Sequence, residues 1–348
     1  MKEIKVKFCN HDPENEYSYG HFFIKKLEKK YKLNFSDNPD YIFYNETSTD
    51  HYKYDGIKIF FTGENISPNF NDCDYAISYD HVNFEDRHYR LPMYLVTVFY
   101  NKDDLLLAGD NYLKNKQNFT KEDIKKKTDF CSFVYSNYRS DNNRKRLFDK
   151  ISEYKKINSG GTYLNNTGSN IKNKLEFEMK HKFSIACENS SRSGYVTEKI
   201  VGSLVANTIP IYWGSPSIGK EFNTKRFINC HDYESLDEIL NKIKEFDEND
   251  DLYIKTINEP YFVDDFDYEN IKNGFDLFLE NIINQPIDLA KRRTINPIKA
   301  LEIKENEKMI EKFTKRKLLI RKSAAFLYKP FKKIKLLEKI KHDYFSVK

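Results

Sequence analysis

Residues 183–214, FSIACENSSRSGYVTEKIVGSLVANTIPIYWG, constrain the fold more than any other part of the chain. An apolar run, Phe183 to Cys187, ends in Glu188-Asn189-Ser190, and a turn containing Gly194 follows. Tyr195-Val196-Thr197-Glu198-Lys199 then opens a segment whose apolar residues Val196, Ile200, Val201, Leu204 and Val205 recur at helical spacing. A second apolar run, Ile209 to Trp213, stops at Gly214-Ser215-Pro216. The pattern is strand, helix, strand, and it predicts an α/β fold. Its polar residues gather past the carboxyl end of the first strand, where open α/β sheets bind ligands.

The same alternation extends outward. Ile4–Cys9, Tyr41–Tyr44 and Ile57–Phe61 read as strands, and His21–Tyr31 as a helix, which predicts a first Rossmann-like domain. Residues 101–127 are polar and rich in Lys and Asn, and read as an excursion. Phe130–Tyr135 reads as a further strand and Arg144–Tyr154 as a helix. Ser159-Gly160-Gly161 is a turn signal, which sets the expected domain boundaries at 1–158, 159–300 and a tail of 301–348. Arg226–Cys230 and the helix Ser235–Phe246 complete the second unit. No internal repeat is present.

At 348 residues the chain is long enough for two ordinary domains, and 27 Phe and 25 Tyr supply an aromatic core despite a mean hydropathy of -0.76. Its five cysteines, Cys9, Cys73, Cys131, Cys187 and Cys230, lie scattered without a CxxC pair. That spacing argues against a disulfide framework or structural zinc and for a reducing compartment. No G-x-G-x-x-G or P-loop sequence occurs, so a nicotinamide or ATP site has no sequence support. Asp72-Cys73-Asp74 matches the short D-x-D pattern of manganese-dependent sugar transferases, a weak signal in a chain with 53 Asp and Glu. Neither a signal peptide nor an apolar run of ~18 residues is evident, so the expectation is a cytoplasmic protein.

The central stretch resembles the α-1,3/4-fucosyltransferases, glycosyltransferase family 10. Their signature is an aromatic strand, E-N, a tyrosine six residues on, T-E-K, and a V/I-P-V/I-x-x-G strand. Glu188, Asn189, Tyr195, Thr197, Glu198, Lys199, Pro210 and Gly214 match it. The segments Thr62–Phe70 (TGENISPNF), Ser132–Asn137 (SFVYSN) and Pro210–Pro216 (PIYWGSP) resemble the bacterial members. On these residues the resemblance covers about residues 55–235. It implies a GT-B architecture, two Rossmann-like domains facing a cleft. It also implies inverting, metal-independent transfer of L-fucose from GDP-fucose to the GlcNAc of a Galβ1-4GlcNAc or Galβ1-3GlcNAc acceptor, giving Lewis-type glycans.

Such a reaction needs a base for the attacking hydroxyl and positive charge for the departing diphosphate. Glu64 follows an apolar strand, so it should reach the cleft, and the resemblance makes it the catalytic base. Arg144 keeps the family's seven-residue spacing from Ser136-Asn137, and Lys199 lies in the first turn of its helix. Both are expected to offset charge on the phosphates, with Arg146 as the neighbouring competitor to Arg144. Ser136, Asn137, Asn189, Tyr195 and Glu198 are the remaining donor-binding residues implied. Glu198 has rival roles at the helix dipole or as the partner of Lys199. The acceptor is expected near Glu64, with Ser67–Phe70 and Tyr75–Tyr89 as candidate segments.

From Ile310 to Lys348 there are thirteen Lys and Arg against three acids, a formal +10. The whole chain is +5, so residues 1–309 carry about −5. Apolar residues such as Phe326, Leu327, Phe331, Leu336 and Leu337 interleave with the tail's cations, and Pro330 divides it in two. Such a tail fits an anionic membrane surface better than a helix packed on the enzyme body, a disordered segment or a nucleic-acid patch, and the expected enzyme is at the inner face of a bacterial membrane. Two other readings stay open: a non-catalytic nucleotide- or glycan-binding protein, and a GT-B transferase for another GDP-sugar.

Overall fold

Strand β1 (Lys2–Phe8) lies between β2 (Tyr31–Phe35) and β3 (Tyr41–Tyr44), and β4 (Ile57–Phe61), β5 (Tyr75–Ser78) and β6 (His88–Arg90) follow in order. Every pairing in this six-stranded sheet is parallel. A second parallel sheet has the order β11-β10-β9-β7-β8. Its strands are β7 (Asp129–Phe133), β8 (Ile157–Ser159), β9 (His181–Cys187), β10 (Ile209–Trp213) and β11 (Ile228–Asn229). This computed structural model describes residues 1–9, 19–99, 118–138 and 140–294, with scattered helical positions between 302 and 320. Two parallel-sheet α/β domains are the GT-B arrangement expected from the sequence.

The helices among the described residues include α1 (Tyr19–Glu28), α2 (Met93–Phe99), α3 (Lys121–Lys125), α4 (Asn143–Ser152), α5 (Lys174–Glu178), α6 (Glu198–Val205), α7 (Leu236–Glu248), α8 (Asp250–Ile257), α9 (Tyr268–Asn284) and the short α10 (Ile287–Ala290). The strands β3 and β4 are buried at every position, as befits parallel strands covered on both faces. Helix α6 is buried on all sides except at Glu198 and Lys199, its first two residues. It covers its own sheet and also packs against α2 of the first domain, where Tyr94 N–H donates to Val196 O at 3.4 Å.

Two boundaries differ from the sequence reading. Strands β7 and β8 both precede residue 159 or end on it, yet both belong to the second sheet. The change of sheet falls between β6 and β7. Gly160-Gly161 is a close approach inside the second domain rather than a linker: a Cβ on Gly161 would lie 2.1 Å from Tyr135 O. The chain also returns. Helix α9 packs on the first domain, where Phe275 stacks on Phe22 at 5.8 Å and Lys26 pairs with Asp276 at 2.8 Å. Phe275, Phe278, Leu279, Ile282 and Ile283 are buried there, each contributing about 1.5–3 kcal/mol.

The D-x-D pair is committed to this architecture. Asp74 is fully buried and accepts from the backbone N–H groups of Lys58, Arg292 and Arg293 at 2.7, 2.7 and 2.8 Å, as well as pairing with the Arg293 guanidinium. Asp72 accepts from Tyr44 Oη at 3.2 Å and lies 2.9 Å from His51 Nε2. Among the described residues no helix is long and apolar enough to cross a membrane. The tail reading falls almost wholly outside the described residues. Of those described there, Met309, Phe313, Leu319 and Ile320 are exposed.

Candidate active site in the interdomain cleft

In the second sheet the strand order reverses between β7 and β9, and the residues following these two strands meet at the carboxyl edge. Open α/β sheets bind ligands at this switch point. A cleft of about 490 Å³ opens there, walled on the other side by the first domain. Glu64, Ser136, Asn137, Arg144, Asn189, Tyr195, Glu198 and Lys199 all line it. Three chain segments far apart in sequence therefore converge as the motifs require.

Arg144 is 1% exposed. Its Nη1 donates to Asn137 O at 2.9 Å, and its Nη2 to Cys187 O at 3.0 Å and Asn189 Oδ1 at 2.9 Å. Its guanidinium lies 3.9 Å over the Tyr135 ring, and its Nε has no hydrogen-bond partner. Among the described residues no carboxylate is paired with it. A buried guanidinium held only by neutral acceptors is an uncompensated positive charge, and an anion in the cleft would compensate it. Arg146 points away, exposed, with Nη1 donating to Asn143 Oδ1 at 2.9 Å.

Lys199 donates to Thr197 Oγ1 at 2.8 Å and Glu188 Oε2 at 3.1 Å. Burial works against its charge, but the Glu188 and Glu198 carboxylates outweigh it and raise the ammonium's pKa. Glu188 is wholly buried and also accepts from Thr197 N at 2.8 Å and Thr197 Oγ1 at 2.7 Å, so it anchors the residue that precedes α6. Burial, opposed by Lys199, raises the Glu188 pKa. Glu198 lies 3.5 Å from Lys199. Burial opposes its charge, yet Lys199 and then Lys174 bring its pKa below the ordinary value. Tyr195 is buried edge-on to Tyr79 at 5.1 Å, across the domain seam.

Glu64 follows β4 on the opposite wall. Its N–H donates to Thr62 Oγ1 at 3.0 Å, which fixes the turn that presents it. The flanks of the cleft desolvate the carboxyl and Glu46 repels its charge, so its pKa is raised, with Lys199 in partial opposition. Next to it, Asn65 Oδ1 accepts from Tyr79 Oη at 2.7 Å and Asn65 Nδ2 donates to Ser190 Oγ of the second domain. The base candidate thus sits beside a direct bond between the two domains.

Several cleft residues escaped the sequence reading: Asn45, Glu46, Met93 and Lys174. Lys174, at the start of α5, carries no strand-end signal and reads as an ordinary surface charge. The candidate acceptor segments Ser67–Phe70 and Tyr75–Tyr89 supply none of the lining. Ser67 instead bonds Asp80 at 2.9 Å, and β5 and β6 are structural strands.

Family comparison decides what this cleft belongs to. The family model for the α-(1,3)-fucosyltransferase FucT N-terminal domain matches residues 6–97, and that for the glycosyltransferase family 10 (fucosyltransferase) C-terminal region matches residues 124–262. The chain belongs to glycosyltransferase family 10. The family match therefore reaches beyond residues 55–235, into β1–β3 and α8. The chain is 34% identical over 297 residues to α-(1,3)-fucosyltransferase FucT of Helicobacter pylori, spanning 75% of this chain and 62% of that one, less than two thirds of its length. It is 25% identical over 168 residues to human 4-galactosyl-N-acetylglucosaminide 3-α-L-fucosyltransferase 9, covering 48% of this chain and 46% of the human one. A crystal structure of an α1,3-fucosyltransferase with GDP-fucose aligns over 82% of this chain and 93% of its own, at 29% identity and a TM-score of 0.63. One with GDP aligns at 30% identity, over 82% and 92%, with the same TM-score of 0.63.

Proposed function

We propose that this family 10 chain is an inverting α-1,3(/4)-fucosyltransferase that moves L-fucose from GDP-fucose to the GlcNAc of a Galβ1-4GlcNAc or Galβ1-3GlcNAc acceptor. The observation that carries the reading is the unpaired buried guanidinium of Arg144 facing, across one cleft, the Glu64 carboxylate of the other domain. The diphosphate lies against Arg144 and Lys199, and Ser136, Asn137, Asn189, Tyr195 and Glu198 hold the rest of the donor. The acceptor hydroxyl lies against Glu64. As the acceptor oxygen bonds the anomeric carbon, the bond to the β-phosphate oxygen breaks from the opposite face and its electron pair leaves with GDP. The hydroxyl proton passes to Glu64, help worth roughly 10²–10⁴-fold. Arg144 and Lys199 offset the charge on the leaving oxygens, which lets the step proceed without a metal ion.

No covalent intermediate is needed, so one carboxylate suffices for the chemistry. The basic tail supports peripheral attachment to an anionic membrane at the cytoplasmic face. The test is GDP release from GDP-fucose with N-acetyllactosamine in EDTA, for the wild type and Glu64→Gln. Acceptor-dependent turnover that survives EDTA and falls at least ~10²-fold in the variant is expected. Donor binding without turnover would point to a binding protein. Turnover with GDP-mannose alone would change the donor.

A further inference from the structure

The first sheet has its own switch point. Its order is β2-β1-β3-β4-β5-β6, so the reversal lies between β1 and β3, and the segment leaving β3 stands at its carboxyl edge. That segment is Asn45-Glu46. Tyr44 pairs with Phe60 in the parallel register, so the chain leaves β3 directly beside the Phe61–Glu64 segment that leaves β4. Neighbouring strands lie ~4.8 Å apart, so residues just past their ends share one wall. Glu46 and Glu64 both line the cleft there, opposite Arg144 and Lys199.

The loop holding Glu46 is built rather than loose. Asn45 Oδ1 accepts from Thr47 N at 3.1 Å and Thr47 Oγ1 at 2.8 Å, and Ser48 N–H donates to Asn45 O at 3.1 Å. This Asx turn sets Glu46 at its crest. Yet Glu46 Oε2 is shielded from solvent and has no hydrogen-bond partner. The side chain is only half-buried, so it can turn this oxygen toward a ligand hydroxyl in the cleft without losing an existing hydrogen bond. Among the described lining residues the cations, Arg144, Lys174 and Lys199, all come from the second domain.

We propose that Glu46 is an acceptor-binding residue that takes a hydrogen bond from a second hydroxyl of the acceptor sugar, and that with Glu64 it selects uncharged acceptors over those bearing a carboxylate near the reacting hydroxyl. This rests on the transferase reading above. Glu64 takes the reacting proton, and Glu46 orients the ring that carries it. A hydrogen bond to a charged acceptor group stabilises more than a neutral one, so its loss weakens acceptor binding about tenfold. The two negative charges also repel an anionic sugar, and removing one eases that repulsion.

The experiment compares wild type, Glu46→Gln and Glu46→Ala on N-acetyllactosamine and on its sialylated, carboxylate-bearing form, with each KM measured separately. The expected result is a rise of about tenfold in KM for the neutral acceptor in Glu46→Gln, with the KM for GDP-fucose unchanged. The sialylated-to-neutral ratio of kcat/KM should rise severalfold in both variants. Unchanged acceptor KM and ratio, or a rise in donor KM instead, would overturn the proposal. Glu46→Gln keeps the side chain's size, so a thermal melt matching wild type separates loss of recognition from loss of fold. A wild type that releases no GDP with either acceptor would count against the transferase reading itself.

Discussion

The ammonium of Lys199 lies 3.1 Å from Oε2 of Glu188, a carboxylate with no exposed surface. The cleft-facing cation is therefore set from beneath by a buried acid, and Arg144, not Lys199, is the unbalanced charge. Removing one partner of such a pair leaves the other stranded. Glu188→Ala should cost about 3–5 kcal/mol of stability, and chemical denaturation should register it as a lower midpoint. Glu188→Gln keeps the Thr197 bond geometry and should lose less.

Arg144 recognises through its fork. Arg144→Lys keeps the charge but cannot reach Asn137 O, Cys187 O and Asn189 Oδ1 together. GDP affinity by calorimetry should fall about tenfold to hundredfold. Arg146→Ala, on the exposed face of α4, should leave affinity unaltered.

The pH profile should carry the mark of Glu64. Its pKa is raised by the cleft walls first and Glu46 second, with Glu198 adding and Lys199 subtracting. A base is useless while protonated, so kcat/KM should fall as pH drops through a midpoint above the ordinary glutamate value of about 4.3. Replacing Glu46 by Gln removes a like charge, so the midpoint should move down. An acid limb that stays in place would show that the two carboxylates do not sense each other.

Gly194 joins the domains by a backbone that other residues adopt poorly. Its φ is +82°, and a Cβ would lie 2.6 Å from Tyr79 O of the first domain. Its N–H donates to Ser215 Oγ and Ser217 Oγ, both at 2.9 Å. Gly194→Ala should cost about 1–3 kcal/mol through strain. Because the loop carries Tyr195 into the cleft, turnover should fall along with the melting temperature.

Much of the site was legible because its motifs are local. Glu188 to Lys199 is one strand end and one helix start, and the spacing alone puts its polar groups at the ligand edge. Ser136-Asn137 and Arg144 are likewise a strand end and the following helix. What local spacing could not reveal was order in space. The strand at Tyr31–Phe35 went unread because its alternation, Tyr31, Leu33 and Phe35 against Lys32 and Asn34, lasts only five residues and begins where the expected helix ends. β5 and β6 were read as an acceptor segment because aromatic residues suit a buried strand and a sugar platform alike.

The sequence by itself determined the two α/β units, the family resemblance and eight of the residues that line the cleft, since each depends on motifs within a few turns of chain. Only the tertiary structure decided that β7 and β8 join the second sheet, that α9 returns to seal the first, and that Glu46 stands beside Glu64. Those facts depend on which strands pair and which faces bury each other. Pairing across tens to hundreds of residues is settled by packing the whole chain at once, and leaves no mark in the spacing of any one segment.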